Sequence, residues 1–128
     1  MGIIGFCVVG LLSYKTGESA GGRIAALLSF YGSGYDPTPQ DAAKVQAPVL
    51  AVYGEQDHSV PAAQVAKIRE VFKHAGKQLD VLTYPAGHAF LNPAHGMGHE
   101  DSARDAWAKA VAFLQQHLGR PALAPSAP

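Results

Sequence analysis

The sequence predicts an α/β fold in which helices flank a parallel, doubly wound sheet, and three observations carry that expectation. Short apolar runs alternate with segments of helical periodicity along the chain, the pattern of parallel strands joined by crossovers. One run, Pro48 to Tyr53, is continuously apolar, as a strand covered on both faces must be. The polar residues best suited to chemistry fall directly after predicted strands, at the carboxyl edge where open α/β sheets hold their ligands.

Gly2 to Phe6 is a short apolar run ending at Cys7, and Val8 to about Lys15 reads as a helix that Thr16-Gly17 terminates. The first unit is therefore strand, sharp turn, helix. Gly21-Gly22 opens a second run, Arg23 to Tyr31, which periodicity alone cannot assign but which Gly32-Ser33-Gly34 closes as a strand would be closed. Asp36 to Pro48 is a connection with one helical turn over Asp41 to Val45, and Pro48 to Tyr53 is the next strand. Pro61 suits a first helical turn, and Val65, Ile68 and Phe72 recur at helical spacing until Gly76 ends the helix. Leu79 to Tyr84 makes a fourth strand. After a loop rich in Gly, Pro and His, Asp101 or Ser102 caps a last helix whose Trp107, Ala110, Val111, Leu114 and Leu118 line one face. Residues 1–118 form one domain, and the stretch from Gly119 to Pro128, with no periodicity, reads as a disordered tail.

Composition narrows the function. With 128 residues, 48% hydrophobic and 16% charged, the chain reads as one soluble globular unit with a modest core. Ten basic residues balance ten acidic ones, so no net field draws it to nucleic acid or to an anionic membrane, and partners are sought among small molecules. The single cysteine excludes an internal disulfide and the zinc-ribbon and thioredoxin patterns, which fits a reducing cytoplasm. The apolar opening from Met1 to Leu12 has no preceding Lys or Arg, unlike a signal peptide, and falls short of the about 20 residues that span a bilayer. No G-x-G-x-x-G or P-loop points to a nucleotide, and Lys15-Thr16-Gly17 lacks the Ser-x-x-Lys that would give it meaning, so no cofactor is expected. His88, His95 and His99 with Glu100 suggest a metal site, but Pro93, Gly96 and Gly98 prevent the helix that would align them, and no metal is expected. His58, His74 and His117 read as surface residues.

Three sites remain. Cys7 lies in G-F-C-V-V-G, a Gly-x-Cys-x-x-Gly form of the strained strand-to-helix turn that exposes a nucleophile, and the helix N-terminus there favours a lowered thiol pKa. The alternative is a small buried cysteine in a core strand. Asp57, in Y-G-E-Q-D-H-S-V-P, either orients an imidazole or caps the following helix. His88, in Y-P-A-G-H-A-F, is either a general base or a plain loop histidine, with Gly87 giving the backbone freedom to place its ring. Their order, nucleophile, acid, histidine on successive loops, is that of α/β-hydrolases.

The segments G-F-C-V-V-G, F-Y-G at Phe30 to Gly32, P-V-L-A-V-Y-G-E-Q-D-H-S-V-P and Y-P-A-G-H-A-F-L-N resemble the dienelactone hydrolase family, and the likeness runs from Gly2 to Leu118. The resemblance implies an α/β-hydrolase-like fold and hydrolysis of a carboxylic ester or lactone, as by a carboxymethylenebutenolidase, through a thioester acyl-enzyme. It makes Cys7 the nucleophile, His88 its base and Asp57 the orienter, with the Val8 N–H in the oxyanion hole and Tyr31, Glu55, Phe90 and Asn92 facing substrate. Two departures stand out. Val9 occupies a position where the family usually has glycine, which is expected to alter the packing of the helix or the oxyanion turn. Asn92 replaces an arginine that binds the substrate carboxylate, so a neutral ester is expected in place of dienelactone. Family members are about twice as long, so the chain reads as the C-terminal half of the fold, lacking the N-terminal half and the loop with the second oxyanion donor. The rival expectation is a non-catalytic interaction half that needs another chain, with an open sheet edge prone to self-association.

Overall fold

A computed structural model describes residues 1–92 and 100–118. Four strands, β1 (Gly2–Phe6), β2 (Ala26–Phe30), β3 (Val49–Gly54) and β4 (Leu79–Tyr84), form one sheet in the order β1-β2-β3-β4, all parallel. The crossovers carry α1 (Val8–Ala20), α2 (Pro39–Lys44) and α3 (Ala62–His74), and α4 (Glu100–Leu118) follows the last strand. Registers such as Phe6 opposite Phe30 and Phe30 opposite Val52 bring the carboxyl ends of the strands to one edge.

Every residue of β2 and β3 is buried, which explains the unbroken apolar run of β3 and a β2 whose one polar residue, Ser29, donates its hydroxyl proton to the Gly10 carbonyl. Alternate side chains feed two cores. Leu27, Val49, Ala51 and Tyr53 meet Tyr14, Ile68 and Phe72 on one face, while Leu28, Phe30, Leu50 and Val52 meet Ala106, Ala110 and Phe113 on the other. Within the first core the Tyr14 and Tyr53 hydroxyls pair at 2.7 Å and satisfy each other. A capping box between Thr38 and Asp41 starts α2, and Gly76, at φ 71°, ends α3 as expected.

Several assignments differ from the sequence reading, among them α2, which spans Pro39–Lys44 where one turn over Asp41 to Val45 is predicted. Thr16-Gly17 does not stop α1: the Thr16 hydroxyl donates back to the Leu12 carbonyl at 2.8 Å, and Gly17 lies so close to Leu27 that a Cβ would overlap it. The run from Arg23 divides into a 3-10 turn at Gly21–Arg23 and the shorter β2. The buried face of α4 comprises Ser102, Ala106, Ala110 and Phe113, with Leu114 and Leu118 half-buried, whereas Trp107 and Val111 are exposed. Asp101 and Ser102 lie within the helix, so neither is its cap. His117 is likewise half-buried, its ring 4.4 Å from that of Phe113. His95, His99 and the stretch from Gly119 lie outside the described residues. No helix among the described residues is long and apolar enough to cross a membrane.

Candidate functional site

Cys7 occupies the turn between β1 and α1 with φ 57° and ψ −126°, a conformation that disfavours any residue with a Cβ. Two glycines permit the turn. A Cβ at Gly5 would overlap the Val9 carbonyl, and one at Gly10 would lie 2.9 Å from both the Gly32 Cα and the Phe30 carbonyl oxygen. The turn is tied to β2 by Cys7 N–H donating to Phe30 O at 2.9 Å and by the Ser29 hydroxyl donating to Gly10 O at 2.9 Å. Val9 is half-exposed at this turn.

Asp57 follows β3 in a turn closed by its own N–H to Gly54 O at 3.2 Å, and His88 follows β4. The structure brings the two together: His88 Nδ1 lies 2.7 Å from Asp57 Oδ2. Gly54 makes this approach possible, because a Cβ there would overlap the Ala86 carbonyl of the loop that carries His88. Asp57 is only 4% exposed, and α3 begins beyond it with Pro61 in the cap position and no side-chain cap. The carboxylate therefore does not cap the helix. Its second oxygen accepts from the Ser59 N–H at 2.9 Å and the Ser59 hydroxyl at 2.6 Å. Burial pushes the Asp57 carboxyl up, but the Ser59 hydroxyl, the His88 ring and the Ser59 N–H together outweigh it and hold the group below its ordinary 3.8. Ser59 was not singled out by sequence reasoning. The signal available was a hydroxyl two residues after the aspartate, the spacing of an Asx turn.

The remaining candidates divide. Tyr31 directly follows β2 at φ 48°, with its ring 5.4 Å from that of His88 and its hydroxyl accepting from Leu91 N–H at 3.3 Å. Burial pushes its phenol up to about 12, so it stays protonated. Phe90 is buried against Tyr31 and Tyr84, a core position under the loop. Asn92 is exposed, its N–H donating to Ala89 O at 2.9 Å. Glu55 is exposed and lines a hollow with Val60, Val65 and Arg69 on the α3 side of β3. Val8 is the first residue of α1, whose N–H belongs to those a helix leaves without an intrahelical carbonyl. Gly87 does not supply the positive φ near His88; Ala89 does, at 57°. Among the described residues, the non-glycine residues with positive φ are Cys7, Tyr31 and Ala89, all at this edge, and such clustering marks functional sites.

Burial, and after it the Asp57 carboxylate, push the Cys7 thiol above its ordinary 9.0, opposite to the lowering expected at a helix N-terminus. That direction predicts a Cys7 thiol that keeps its proton at neutral pH. Its iodoacetamide alkylation rate should rise about tenfold per pH unit from pH 6 to pH 8. A rate already level across that range would show a resting thiolate.

Parallel strands covered by helices on both faces, with a strained residue at the first strand-to-helix turn, define an α/β-hydrolase fold. Within that class the chain belongs to the dienelactone hydrolase family, whose model matches residues 1–118. A Salmonella typhimurium protein bearing the name "Putative carboxymethylenebutenolidase" is 30% identical over 127 residues, which span 92% of this chain and 47% of the relative. An Escherichia coli K12 protein of the same name is 29% identical over 130 residues, spanning 94% of this chain and 48% of its own. The crystal structure titled "Putative Dienelactone Hydrolase" from Klebsiella pneumoniae superposes with a TM-score of 0.82 at 28% identity, covering 89% of this chain and 51% of that one. The chain thus spans about half the length of the relatives it matches. Members of the family are hydrolases.

Proposed function

We propose that this chain carries the reacting groups of a cysteine-dependent hydrolase of carboxylic esters or lactones. The observation that supports this most is the 2.7 Å contact between His88 Nδ1 and the buried Asp57 carboxylate, on the sheet edge that also holds the strained Cys7. In this reading Cys7 Sγ attacks the substrate carbonyl carbon while His88 Nε2 takes the thiol proton, and Asp57 steadies the imidazolium that forms. With the thiol pushed up by burial, this reading has the proton move during attack and not before it. The Val8 N–H donates to the developing oxyanion, a contact worth about 2.7 to 4 kcal/mol where such donors have been removed. The tetrahedral intermediate expels the alcohol, which takes the proton from His88 and leaves a thioester. Water, giving its proton to His88, attacks the thioester; the acid departs and Cys7 regains its proton.

Asn92 offers no positive charge to a substrate carboxylate, which favours neutral esters over an anionic lactone. The test is to mix the protein with 4-nitrophenyl acetate, quench in acid and map the adduct by mass spectrometry. An acetyl group on the Cys7 peptide, with higher kcat/KM for the neutral ester than for a carboxylated lactone, is the expected result. Acetylation confined to other residues would overturn the nucleophile assignment, and a preference for the anionic lactone would overturn the substrate assignment.

A second reading, an interaction half that works only with another chain, has one observation in its favour. β1 is an edge strand, and Ile4, Phe6, Val8, Val9 and Leu12 expose between 36% and 63% of their surface beside it. In that case Cys7 stays unacylated until the partner is added.

A further inference from the structure

Asp57 and His88 share a third group. The Ser59 hydroxyl lies 2.6 Å from Asp57 Oδ1 and 3.2 Å from His88 Nδ1, and the Ser59 backbone N–H donates to the same Oδ1 at 2.9 Å. Counting protons assigns the direction of each contact. An ionised carboxylate only accepts, so the single hydroxyl proton of Ser59 is committed to Oδ1. What the hydroxyl turns toward the ring is a lone pair, and Nδ1 must therefore carry a proton. Asp57 Oδ2, at 2.7 Å, makes the same demand. Both acceptors select the imidazole tautomer with hydrogen on Nδ1 and leave Nε2 free to receive a proton.

We propose that Ser59 is a positioning residue for the hydrolase proposed above, fixing the Asp57 carboxylate and the Nδ1–H tautomer of His88 through one hydroxyl that donates to the first and accepts from the second. The inference rests on that functional reading for its consequence in turnover, but the tautomer itself can be observed without it. His88 bears on Asp57, and Asp57 bears in turn on Cys7; the Tyr31 ring faces His88 at 5.4 Å, and Glu55 and His58 of the same turn as Asp57 are exposed. With the hydroxyl removed, Oδ1 keeps one donor, the carboxylate gains freedom to rotate, and the ring loses one of two reasons to hold its proton on Nδ1. Ser59 is itself exposed, so water replaces part of what is lost. That places the expected fall in kcat nearer tenfold than hundredfold.

The experiment compares wild type with Ser59→Ala and Ser59→Thr. Nitrogen-15 NMR of the His88 ring reports the tautomer, carbon-13 NMR of Asp57 its titration, and steady-state kinetics kcat and KM against pH. Wild type should show hydrogen on Nδ1. Ser59→Ala should show mixed tautomers, an Asp57 titration moved to higher pH, kcat lower by about tenfold and KM within about twofold, and Ser59→Thr should restore all of these. If Ser59→Ala does not fold, Ser59→Gly removes the same hydroxyl and is read in the same way. Wild-type tautomer and titration in the variant lacking the hydroxyl overturn the proposal, whatever the turnover. A shifted tautomer in a protein that hydrolyses no ester supports the role of Ser59 in holding the ring and overturns the hydrolase reading instead.

Discussion

Replacing Cys7 with alanine is expected to lower ester turnover by about 10⁴- to 10⁶-fold, the range over which loss of a catalytic nucleophile is usually felt. Cys7 is the only cysteine in the chain, so no second thiol substitutes for it. Stability should behave differently. Alanine also has a Cβ and meets the same penalty at φ 57°, so the melting temperature should move by only a few degrees. Cys7→Gly separates the two effects further, because glycine adopts this backbone without strain while the other residues pay about 1 to 3 kcal/mol. Discounting the extra freedom of glycine in the unfolded chain, that variant should be inactive yet more stable by about 1 kcal/mol. Initial rates on an activated ester, beside thermal unfolding of all three proteins, check both parts. Turnover retained in Cys7→Ala, or Cys7→Gly less stable than Cys7→Ala, would show that the strained turn is not what holds a nucleophile.

How much of this was legible in the sequence follows from where each signal resides. β3 was readable because a strand covered on both faces writes its burial as a local apolar run, and Leu79 to Tyr84 matches the observed β4 at both ends although only Tyr84 of that edge strand is buried. The proposed roles of Cys7, Asp57 and His88 come from the resemblance, but their placement after β1, β3 and β4 was readable from the strand assignments and chain order. Features set by tertiary contact were not. Gly17 reads as a helix stop, yet it marks where α1 crosses Leu27. The large apolar residues Trp107 and Val111 suggest one face for α4, but close approach to the sheet selects the small Ala106 and Ala110, which rotates the buried stripe. The direction of the Cys7 thiol shift depends on burial and on a carboxylate fifty residues away in sequence. Ser59 was hidden because a serine after an aspartate in a turn is ordinary until the histidine from β4 arrives beside it.

Converting Asp57 to asparagine should lower turnover by about 10⁴-fold, the order seen when the acid of such an arrangement becomes an amide. The cause can be derived from Ser59. Its hydroxyl and its backbone N–H both point donors at Oδ1, so the introduced amide must turn its carbonyl oxygen toward them. The amide NH₂ then faces His88 Nδ1, which has to accept, and the ring carries its proton on Nε2, where it cannot take one from Cys7. Stability and pH supply an independent check. The folded-state pKa of Asp57 lies below its ordinary 3.8, so its hydrogen bonds contribute stability that is present above that value and is lost as pH falls through the lower folded value. Asp41 and Asp105 are also held low, but they are common to both proteins and cancel in the difference. Asp57→Asn should therefore be less stable than wild type by about 1 to 3 kcal/mol near pH 7, with the gap closing as pH falls below about 4. Denaturant unfolding of both proteins from about pH 7 down to about pH 2.5, with ester turnover measured at the neutral end, tests the two halves separately. Turnover within tenfold of wild type would remove Asp57 from the reaction, and a stability gap that stays constant with pH would mean that its carboxylate is not held by Ser59 and His88.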